Sequence, residues 1–327
     1  MDKKEYGGYL PLEFPFYKGG YYKEKNKFNI LKLNCGRATF YYAAKISNLS
    51  KIYLPYFTCD ETKVPFQELG IEIGYYLLDD YLLPKDIDLK DDEYMFWTNY
   101  YGNASTKEIK FITKKYKNLI IDNCHAFFSK PIKGAYNCYS TRKFFGVPDG
   151  AYLIKDRLKI NEKIIKDTSY ENCLHLIKQI DQGINFGYKD SLKNEERLCG
   201  GFKAMSNFSE VVLNSLNYEK ILKLRRRNFL LMHKLLKKIN NFPINLKSLT
   251  HMYYPLLVMD ENLRYRLISE KIYNPYWWEH VLKLVPENSI EYKLSKYTIM
   301  LPIDQRYNQK DIYKISEIVL KNLGTKC

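Results

Sequence analysis

Three short segments carry the residues most able to do chemistry, and the first contains a lysine. In YSTRKFFGVPDG, Ser140 stands three residues before Lys143, and the segment follows a β-like run. A lysine in a chain with 52 Lys and Arg residues is ordinarily a solvated surface charge. Two phenylalanines follow this one, however, and we expect them to desolvate its amine in part. Desolvation makes a lysine amine available as a nucleophile near neutral pH.

The second segment, IIDNCHAF, contains Asp122 at the end of an apolar run and His125 three residues later. A carboxylate at a strand end can cap a turn, bind a metal or hold a cationic nitrogen of a cofactor, and capping is the commonest of these. No second histidine or acidic cluster at ligand spacing supports a metal site. His125 is compatible with a hydrogen-bonded structural residue as well as with a site residue.

The third segment, LNCGRAT, places Gly36 where a β-like run meets the start of a predicted helix. Such a glycine is more often part of an ordinary turn, but the free amides of a first helical turn also form a natural phosphate site. Pyridoxal 5'-phosphate needs a lysine for its Schiff base, a carboxylate beside its ring nitrogen and donors for its phosphate. The three segments together match these needs, and the combination is far more specific than its members.

The elements that must position these segments follow a β/α alternation between residues 31 and 156. Such alternation predicts a mainly parallel sheet flanked by helices, with its ligands beyond the carboxyl ends of the strands. The β-like runs are 51–57, 72–78, 94–101, 118–123, 136–140 and 150–154, and the helical candidates between them are 37–46, 60–69 and 105–116.

Helices dominate after residue 156, and a smaller α/β unit closes the chain. Apolar residues at steps of three or four predict one long helix over 210–240. The C-terminal third predicts strands near 252–258 and 297–302 and helices over 262–272 and 309–323. We therefore divide the chain into an N-terminal arm (1–30), a large cofactor-binding domain ending in the long helix (31–230) and a small C-terminal α/β domain (231–327).

Composition favours a globular protein of the cytoplasm. The 327 residues are 46% hydrophobic and 27% charged, and the longest apolar stretch, 252–259, is well short of the roughly 20 residues of a membrane span. The N-terminus lacks the apolar core of a secretory signal. Seven cysteines, an odd number without a CxxC pair, fit reduced thiols better than a disulfide framework.

The formal net charge of +15 is compatible with several kinds of partner. Nucleic acid, an anionic membrane surface and anionic small molecules are all possible, and so is a merely solvated basic surface. No DNA- or RNA-binding motif is present, and the basic residues are spread along the whole chain. We therefore expect small-molecule ligands and neither a nucleic-acid nor a membrane partner.

The order of the segments resembles a known family. LNCGRATF, YLPYFTCDET, TNYYG, IIDNCHAFF and YSTRKFFGVPDGAYL look like the DegT/DnrJ/StrS-type aminotransferases, which mostly aminate keto sugars attached to nucleotides. The likeness is clearest over 31–154, and LPIDQRY, from Leu301, is similar to a shorter variant group often associated with surface polysaccharide genes. The resemblance implies an α/β protein with the type I fold of pyridoxal phosphate-dependent transferases.

The resemblance also implies a role for each matching residue. Lys143 would form the Schiff base with the cofactor and shuttle the proton between the two carbons that exchange unsaturation. Asp122 would hold the ring nitrogen. Ser140, with the backbone of Gly36 and Arg37, would receive the phosphate.

Three further residues match positions near the family's cofactor. His125 occupies the place beside the ring, Cys59 the place where many members have a stacking aromatic, and Tyr100 a strand end near the site. The family's loop that reaches into the neighbouring subunit's site is similar to FKAMS, at 202–206, which lacks the Asn and Arg of the family pattern.

The resemblance thus implies a homodimeric aminotransferase that moves an amino group from an amino acid, by family habit glutamate, to a keto sugar. Two other functions stay open at this point. The same cofactor and fold could serve decarboxylation or dehydration, because a fold does not determine its chemistry. Alternatively, the changes at Cys59 and at 202–206 could leave a catalytically silent member of the fold.

Overall fold

A seven-stranded sheet forms the centre of the fold. In this computed structural model, which describes residues 12–15, 19–22, 28–85, 87–158, 160, 162–248 and 251–324, the strand order is β1-β7-β6-β5-β4-β2-β3. The predicted arm at 1–30 lies mostly outside the described residues. The strands are β1 (Asn29–Leu33), β2 (Lys51–Pro55), β3 (Glu72–Tyr76), β4 (Glu93–Thr98), β5 (Leu119–Asp122), β6 (Tyr136–Ser140) and β7 (Ala151–Lys155).

Five neighbouring strands, from β3 to β6, run parallel, whereas β7 and β1 pair antiparallel at one side of the sheet. Every residue of β5 and β6 is buried. Strands covered on both faces are typical of parallel sheets with helices on each side. The predicted mainly parallel sheet is confirmed, and each predicted run between 51 and 154 overlaps one of its strands, although β4 begins one residue before its run and β7 ends one residue after its run.

Three helices lie between these strands in sequence: α1 (Gly36–Ser47), α2 (Val64–Glu68) and α3 (Thr106–Lys115). The helix predicted at 60–69 is a short 3-10 turn, Asp60–Thr62, followed by α2. A capping box starts α3, in which Ser105 and Glu108 each accept a hydrogen bond from the other's backbone amide. This arrangement satisfies two amides that the helix itself leaves free.

Two shorter helices, α6 (Asn207–Asn214) and α7 (Tyr218–Leu236), replace the single helix predicted over 210–240. The apolar periodicity correctly predicts a helix over α7, but it does not predict that the chain leaves the helical conformation between α6 and α7. The side chain of Asn217 accepts a hydrogen bond from the amide of Lys220 and so starts a new helix. Asn is among the residues that most favour this capping position. The prediction of one continuous helix was wrong for this reason.

Between β7 and α6, the chain forms a helical hairpin of α4 (Leu174–Gln182) and α5 (Ile184–Arg197). Gly183 joins the two helices with a φ of 87°, a value that suits glycine. The sequence predicted only a general helical character here. Asp167 anchors the C-terminal end of α5, since its carboxylate accepts two hydrogen bonds from Arg197, at 3.0 and 2.9 Å.

The C-terminal part contains a two-stranded antiparallel sheet of β8 (Tyr254–Leu257) and β9 (Thr298–Leu301). Helices α8 (Leu263–Ser269), α9 (Ile290–Tyr297) and α10 (Gln309–Asn322) complete this part. Apolar side chains of α7 share a core with it, among them Phe229, Met232 and Leu236. The predicted domain boundary after residue 230 therefore falls inside α7, a helix that contributes to the core of the small sheet.

None of the helices in the described parts of the chain combines the length and the apolar character that a membrane crossing requires.

Asp149, in the turn that follows Lys143, holds three chain segments together. It is fully buried, and its carboxylate accepts hydrogen bonds from the hydroxyls of Ser169, Ser206 and Ser209 and from the amide of Ser206. Ser206 in turn caps α6. A buried carboxylate with this many donors fixes the position of the lysine turn relative to α6.

We expect Asp149→Ala to lower the free energy of unfolding by about 3 kcal/mol, because three buried hydroxyls and an amide lose their acceptor. Urea denaturation followed by circular dichroism measures this loss. Asp181→Ala, on the exposed surface of α4, should stay within about 0.5 kcal/mol of the wild type. Equal effects of the two substitutions would contradict the role assigned to Asp149.

Candidate functional site

A cavity of about 500 Å³ opens at the carboxyl ends of β5 and β6. Seven of the eight residues predicted from the sequence line it, whereas Tyr100 does not. The seven are Gly36, Arg37, Cys59, Asp122, His125, Ser140 and Lys143.

Parallel pairing brings the two polar strand ends to the same edge. Asp122 is the last residue of β5 and Ser140 the last of β6, and the register aligns Asp122 with Cys138. Both side chains are buried, at 7% and 4% exposure. One carboxylate oxygen of Asp122 accepts the amide of Cys124 at 2.9 Å. The capping role that its position allowed is thus present, and the same carboxylate borders the cavity.

The N-terminus of α1 forms a second wall. Cys35 precedes the helix in an extended conformation and offers no side-chain hydrogen bond to the first turn. A Cβ atom on Gly36 would lie 3.0 Å from the sulfur of Cys124, so the missing side chain lets this turn pack closely against the segment after β5. Amides of an uncapped first turn, at the positive end of the helix dipole, suit an anion.

Two arginines lie near this wall, and both form side-chain contacts within the protein. Arg37 donates to the sulfur of Cys199 at 3.0 Å. Arg142 donates from both of its terminal nitrogens to the carboxylate of Glu195, near the end of α5. This ion pair joins the lysine turn to α5 across the mouth of the cavity.

Lys143 lies in the turn after β6 and is exposed. The partial desolvation expected from the sequence is therefore wrong for the residue in this structure. Phe144 and Phe145 are buried, but they belong to a separate apolar cluster with Phe127 and Val147. Lys143 is thus an exposed residue of the cavity lining, which a ligand in the cavity can reach.

His125 is buried at 2% exposure, and its ring stacks on Trp277 at 4.4 Å between centroids and 19° between planes. Burial, and then the charge of Lys143, hold the pKa of His125 well below its ordinary value. Its Nδ1 atom is buried without a hydrogen-bond partner. A neutral imidazole therefore lines the cavity, with one face covered by an indole.

Cys59 precedes the 3-10 turn at the other side of the cavity. Its thiol donates to the carboxylate of Glu61 at 2.5 Å. Burial, and then the hydrogen bond and the charge of Glu61, raise the pKa of the Cys59 thiol to about 12. This side chain is consequently a neutral thiol in the cavity wall rather than a nucleophile.

Tyr100 is buried outside the cavity lining. Its hydroxyl donates to the main-chain oxygen of Phe57 at 2.6 Å. The two rings are also in contact, with centroids 5.3 Å apart. Tyr100 thus supports the segment that leads to Cys59 and is not brought together with the other predicted residues.

Several lining residues escaped the sequence analysis. Trp278 stands out because it supplies an aromatic wall from the C-terminal part of the chain, where the triplet Tyr-Trp-Trp was the available signal. Glu195 and Glu196 could not be found because α5 was not predicted. The remaining lining residues include Thr58, Thr62 and Arg142.

The residues fit pyridoxal phosphate. An uncapped helix start and the nearby Ser140 would receive a phosphate, Asp122 could pair with a protonated ring nitrogen, and Lys143 offers a primary amine. The buried, unpartnered Nδ1 of His125 adds a polar atom at the same site. Among the residues that the structure describes, no three His, Cys, Asp or Glu side chains group as metal ligands.

The backbone of the protein is similar to that of many solved aminotransferases. A DegT DnrJ EryC1 StrS aminotransferase from Brucella abortus is 12% identical, with a TM-score of 0.58 over 90% of this chain and 85% of that one. The sugar aminotransferase CalS13 from Micromonospora echinospora is 14% identical, with a TM-score of 0.59 over 89% and 87%. No protein-family model and no curated protein matches the sequence.

A dehydratase has the same fold. The E. coli GDP-4-keto-6-deoxy-D-mannose-3-dehydratase with bound hydrated PLP is 15% identical, with a TM-score of 0.58 over 89% of this chain and 87% of that one. These likenesses confirm the predicted fold, that of the pyridoxal phosphate-dependent aminotransferases. At such low identity they leave the chemistry to be argued from the site.

The raised pKa of Cys59 gives a direct test. We expect iodoacetamide to alkylate this thiol at pH 8 about a hundredfold or more slowly than an ordinary cysteine, because almost no thiolate is present four pH units below the pKa. Mass spectrometry of the Cys59 peptide measures the rate, and the urea-unfolded protein is the control. Glu61→Gln should speed the reaction, and equal rates in folded and unfolded protein would contradict the assignment.

Proposed function

We propose that this protein is a pyridoxal phosphate-dependent aminotransferase that transfers an amino group from an amino acid, glutamate by family habit, to a nucleotide-linked keto sugar. One observation carries the proposal. A lysine, a carboxylate at a strand end, a strand-end serine and an uncapped helix start all line a single cavity. These are the groups that this cofactor requires.

When bound, the cofactor supplies an aldehyde that bonds to amines and a ring that withdraws electrons from the bond being broken. Lys143 would hold the cofactor between turnovers and carry a proton between the two carbon atoms that exchange the double bond. Asp122 would keep the ring nitrogen protonated. Ser140 and the amides at Gly36 and Arg37 would bind the phosphate.

Other side chains of the cavity would control access and orientation. The neutral imidazole of His125, covered on one face by Trp277, presents a flat surface inside the cavity. Trp278 adds a second aromatic side chain to the cavity lining. Such surfaces exclude water and orient a flat ring. Cys59 is a small neutral side chain, and the cavity is wider there than an aromatic residue would leave it.

The acceptor and the pathway are inferred from the similar structures, from the net charge and from one C-terminal segment. CalS13 is named as a sugar aminotransferase, and the E. coli dehydratase is named for a GDP-linked keto sugar. The net charge of +15 suits the phosphates of such a substrate. By the resemblance of the LPIDQRY segment, we further propose a role in surface polysaccharide biosynthesis. The free cysteines of the described residues agree with a reaction in the cytoplasm.

We also propose a homodimer, because the α4–α5 hairpin exposes an extended apolar surface. Its members include Ile180 at 85% exposure and Phe186 at 53%. An apolar surface of this extent commonly marks an interface. The same hairpin ends at Glu195 and Glu196, which line the cavity. A second copy packed on the hairpin would therefore border the active site.

Lys143 provides the principal test of the function. Wild-type protein mixed with pyridoxal phosphate should show a visible absorption band, and borohydride should fix the cofactor to the peptide containing Lys143. Lys143→Ala should abolish both the fixation and transamination. Lys133→Ala, a variant of a lysine outside the cavity lining, should behave like the wild type. Fixation at another lysine, or unchanged fixation in Lys143→Ala, contradicts the assignment.

The response of the protein to glutamate distinguishes an aminotransferase from the other candidate functions. Glutamate should bleach the visible band and release 2-oxoglutarate, measured with glutamate dehydrogenase. A dehydratase or decarboxylase would retain fixation at Lys143 but fail to sustain the transfer of nitrogen from glutamate to a sugar. Absence of any spectral change across a panel of amino donors would identify a catalytically silent protein.

A charged residue introduced into the α4–α5 hairpin tests the proposed dimer. We expect Ile180→Lys to raise the dimer dissociation constant about tenfold or more, because a symmetric interface would bury two unpaired ammonium groups. Mass photometry across a dilution series measures the constant. Met259→Lys, at another exposed apolar residue, should leave it unchanged. A wild-type protein that is monomeric at micromolar concentration would refute the proposal.

A further inference from the structure

A second cavity of about 570 Å³ shares part of its lining with the first. Arg142, Lys143 and Glu195 line both cavities. Its other walls come from the lysine turn itself, from α4, α5 and α7, and from the segment after β9. A molecule in the second cavity would therefore lie beside Lys143, an exposed residue that also lines the first cavity.

Arg225, on α7, lines this cavity and is almost completely buried, at 4% exposure. Both of its terminal nitrogens donate to neutral oxygens: the amide oxygen of Gln305, at 2.9 Å, and the main-chain oxygen of Met252, at 2.7 Å. Its Nε atom is buried without a partner. The guanidinium also lies over the ring of Phe144, 4.6 Å from the ring centroid.

No carboxylate in the described chain forms an ion pair with Arg225. Asp304 is the acid that most favours its charged form, yet Asp304 makes a bidentate pair with Arg306, at 2.8 Å for both contacts. Burial lowers the pKa of Arg225 to about 10, so the residue is still charged at neutral pH. A buried cation without a counter-ion is costly, which makes an anion from outside the chain a favourable partner.

The charges around the second cavity point the same way. Four cationic side chains, Arg142, Lys143, Arg225 and Arg306, face two acids, Glu195 and Asp304. Glu195 is already paired with Arg142, and Asp304 is already paired with Arg306. Lys143 and Arg225 are the cations of this cavity that remain without an acidic partner among the described residues.

We propose that Arg225 is the anchor of a substrate-anion subsite, which binds a carboxylate or phosphate group of a substrate whose reacting atom is presented to Lys143. The inference rests on the proposed function, because that function makes Lys143 the reacting amine. An arginine fork is suited to both kinds of anion. The carboxylate would belong to the amino donor, and the phosphate would belong to a nucleotide-linked acceptor.

Arg264 is a second buried arginine, and its contacts are those of a purely structural residue. Arg264 donates to the oxygens of Asn274, Pro275 and Thr298, and Tyr276 lies beneath its guanidinium. Its three acceptors leave it more fully bonded than Arg225. It borders a small cleft away from Lys143. Arg264 is therefore a suitable reference for separating anion binding from fold stability.

The test uses two substitutions of Gln305, whose amide oxygen contacts Arg225. Gln305→Glu places a carboxylate where the neutral oxygen was, so that an internal ion pair competes with any external anion. Gln305→Met has a similar shape, and it too loses the hydrogen bond that Gln305 donates to Phe144, but it adds no charge. The difference between the two variants isolates the effect of the added carboxylate.

Calorimetric titration of protein freed of cofactor, with 2-oxoglutarate in one arm and uridine diphosphate in the other, measures the binding directly. We expect the wild type and Gln305→Met to bind at least one of these anions. Gln305→Glu and Arg225→Gln should bind it about tenfold to a hundredfold more weakly. Arg264→Lys should bind it like the wild type. The arm that responds identifies the source of the anion.

Three results would overturn the proposal. The wild type could bind neither anion, Gln305→Glu could bind as tightly as Gln305→Met, or Arg264→Lys could weaken binding as much as Arg225→Gln at equal melting temperature. Because the titration needs no cofactor, it is independent of fixation at Lys143. If an anion binds in an Arg225-dependent way but the cofactor is not fixed to Lys143, the proposed function is refuted and the anion site is retained. If the cofactor is fixed to Lys143 but no anion binds, the anion site is refuted and the proposed function is retained.

Discussion

The hydrogen-bonded ladder between β5 and β6 is the constraint on which the site depends. Because the two strands are parallel and in register, their carboxyl ends lie side by side, and Asp122 and Ser140 meet at one edge. Both strands are buried along their whole length. A shift in register by one residue would turn these polar ends to the other face of the sheet. The carboxylate and the lysine turn are thus fixed by main-chain geometry rather than by flexible side chains.

Two kinds of group suited to anions border the two cavities. On one side, the first turn of α1 presents amides, and Gly36 allows that turn to lie against Cys124. On the other side, the buried guanidinium of Arg225 faces the second cavity. Lys143 lines both cavities. If both cavities bind anions as proposed, this placement suits a reaction in which one phosphorylated molecule stays bound in one cavity while charged substrates exchange in the other.

Local sequence patterns were sufficient for the sheet and for Gly36, Asp122, Ser140 and Lys143, whereas Arg37 and Cys59 were indicated only by the family resemblance. The runs 118–123 and 136–140 indicated the strand ends, and the sheet rule then placed Asp122 and Ser140 at one edge. These patterns were insufficient where a single capping side chain or a contact between distant segments determines the structure. Asn217 breaks the helix predicted over 210–240 through a cap that the apolar period does not encode. Trp278 reaches the cavity only because the C-terminal part packs on the large sheet, and no local pattern contains that contact.

Lys143 is exposed because the neighbouring side chains of its turn pack into the protein instead of covering it. The sequence predicted that Phe144 and Phe145 would partly desolvate the amine. Both side chains are instead buried in an apolar cluster, which holds the turn against the rest of the protein. Asp149 secures the same turn to α6. The turn is therefore rigid at its base and open at Lys143. The role proposed for Lys143 would need this combination, because a fixed backbone preserves the geometry while the exposed side chain is free to bond to a ligand.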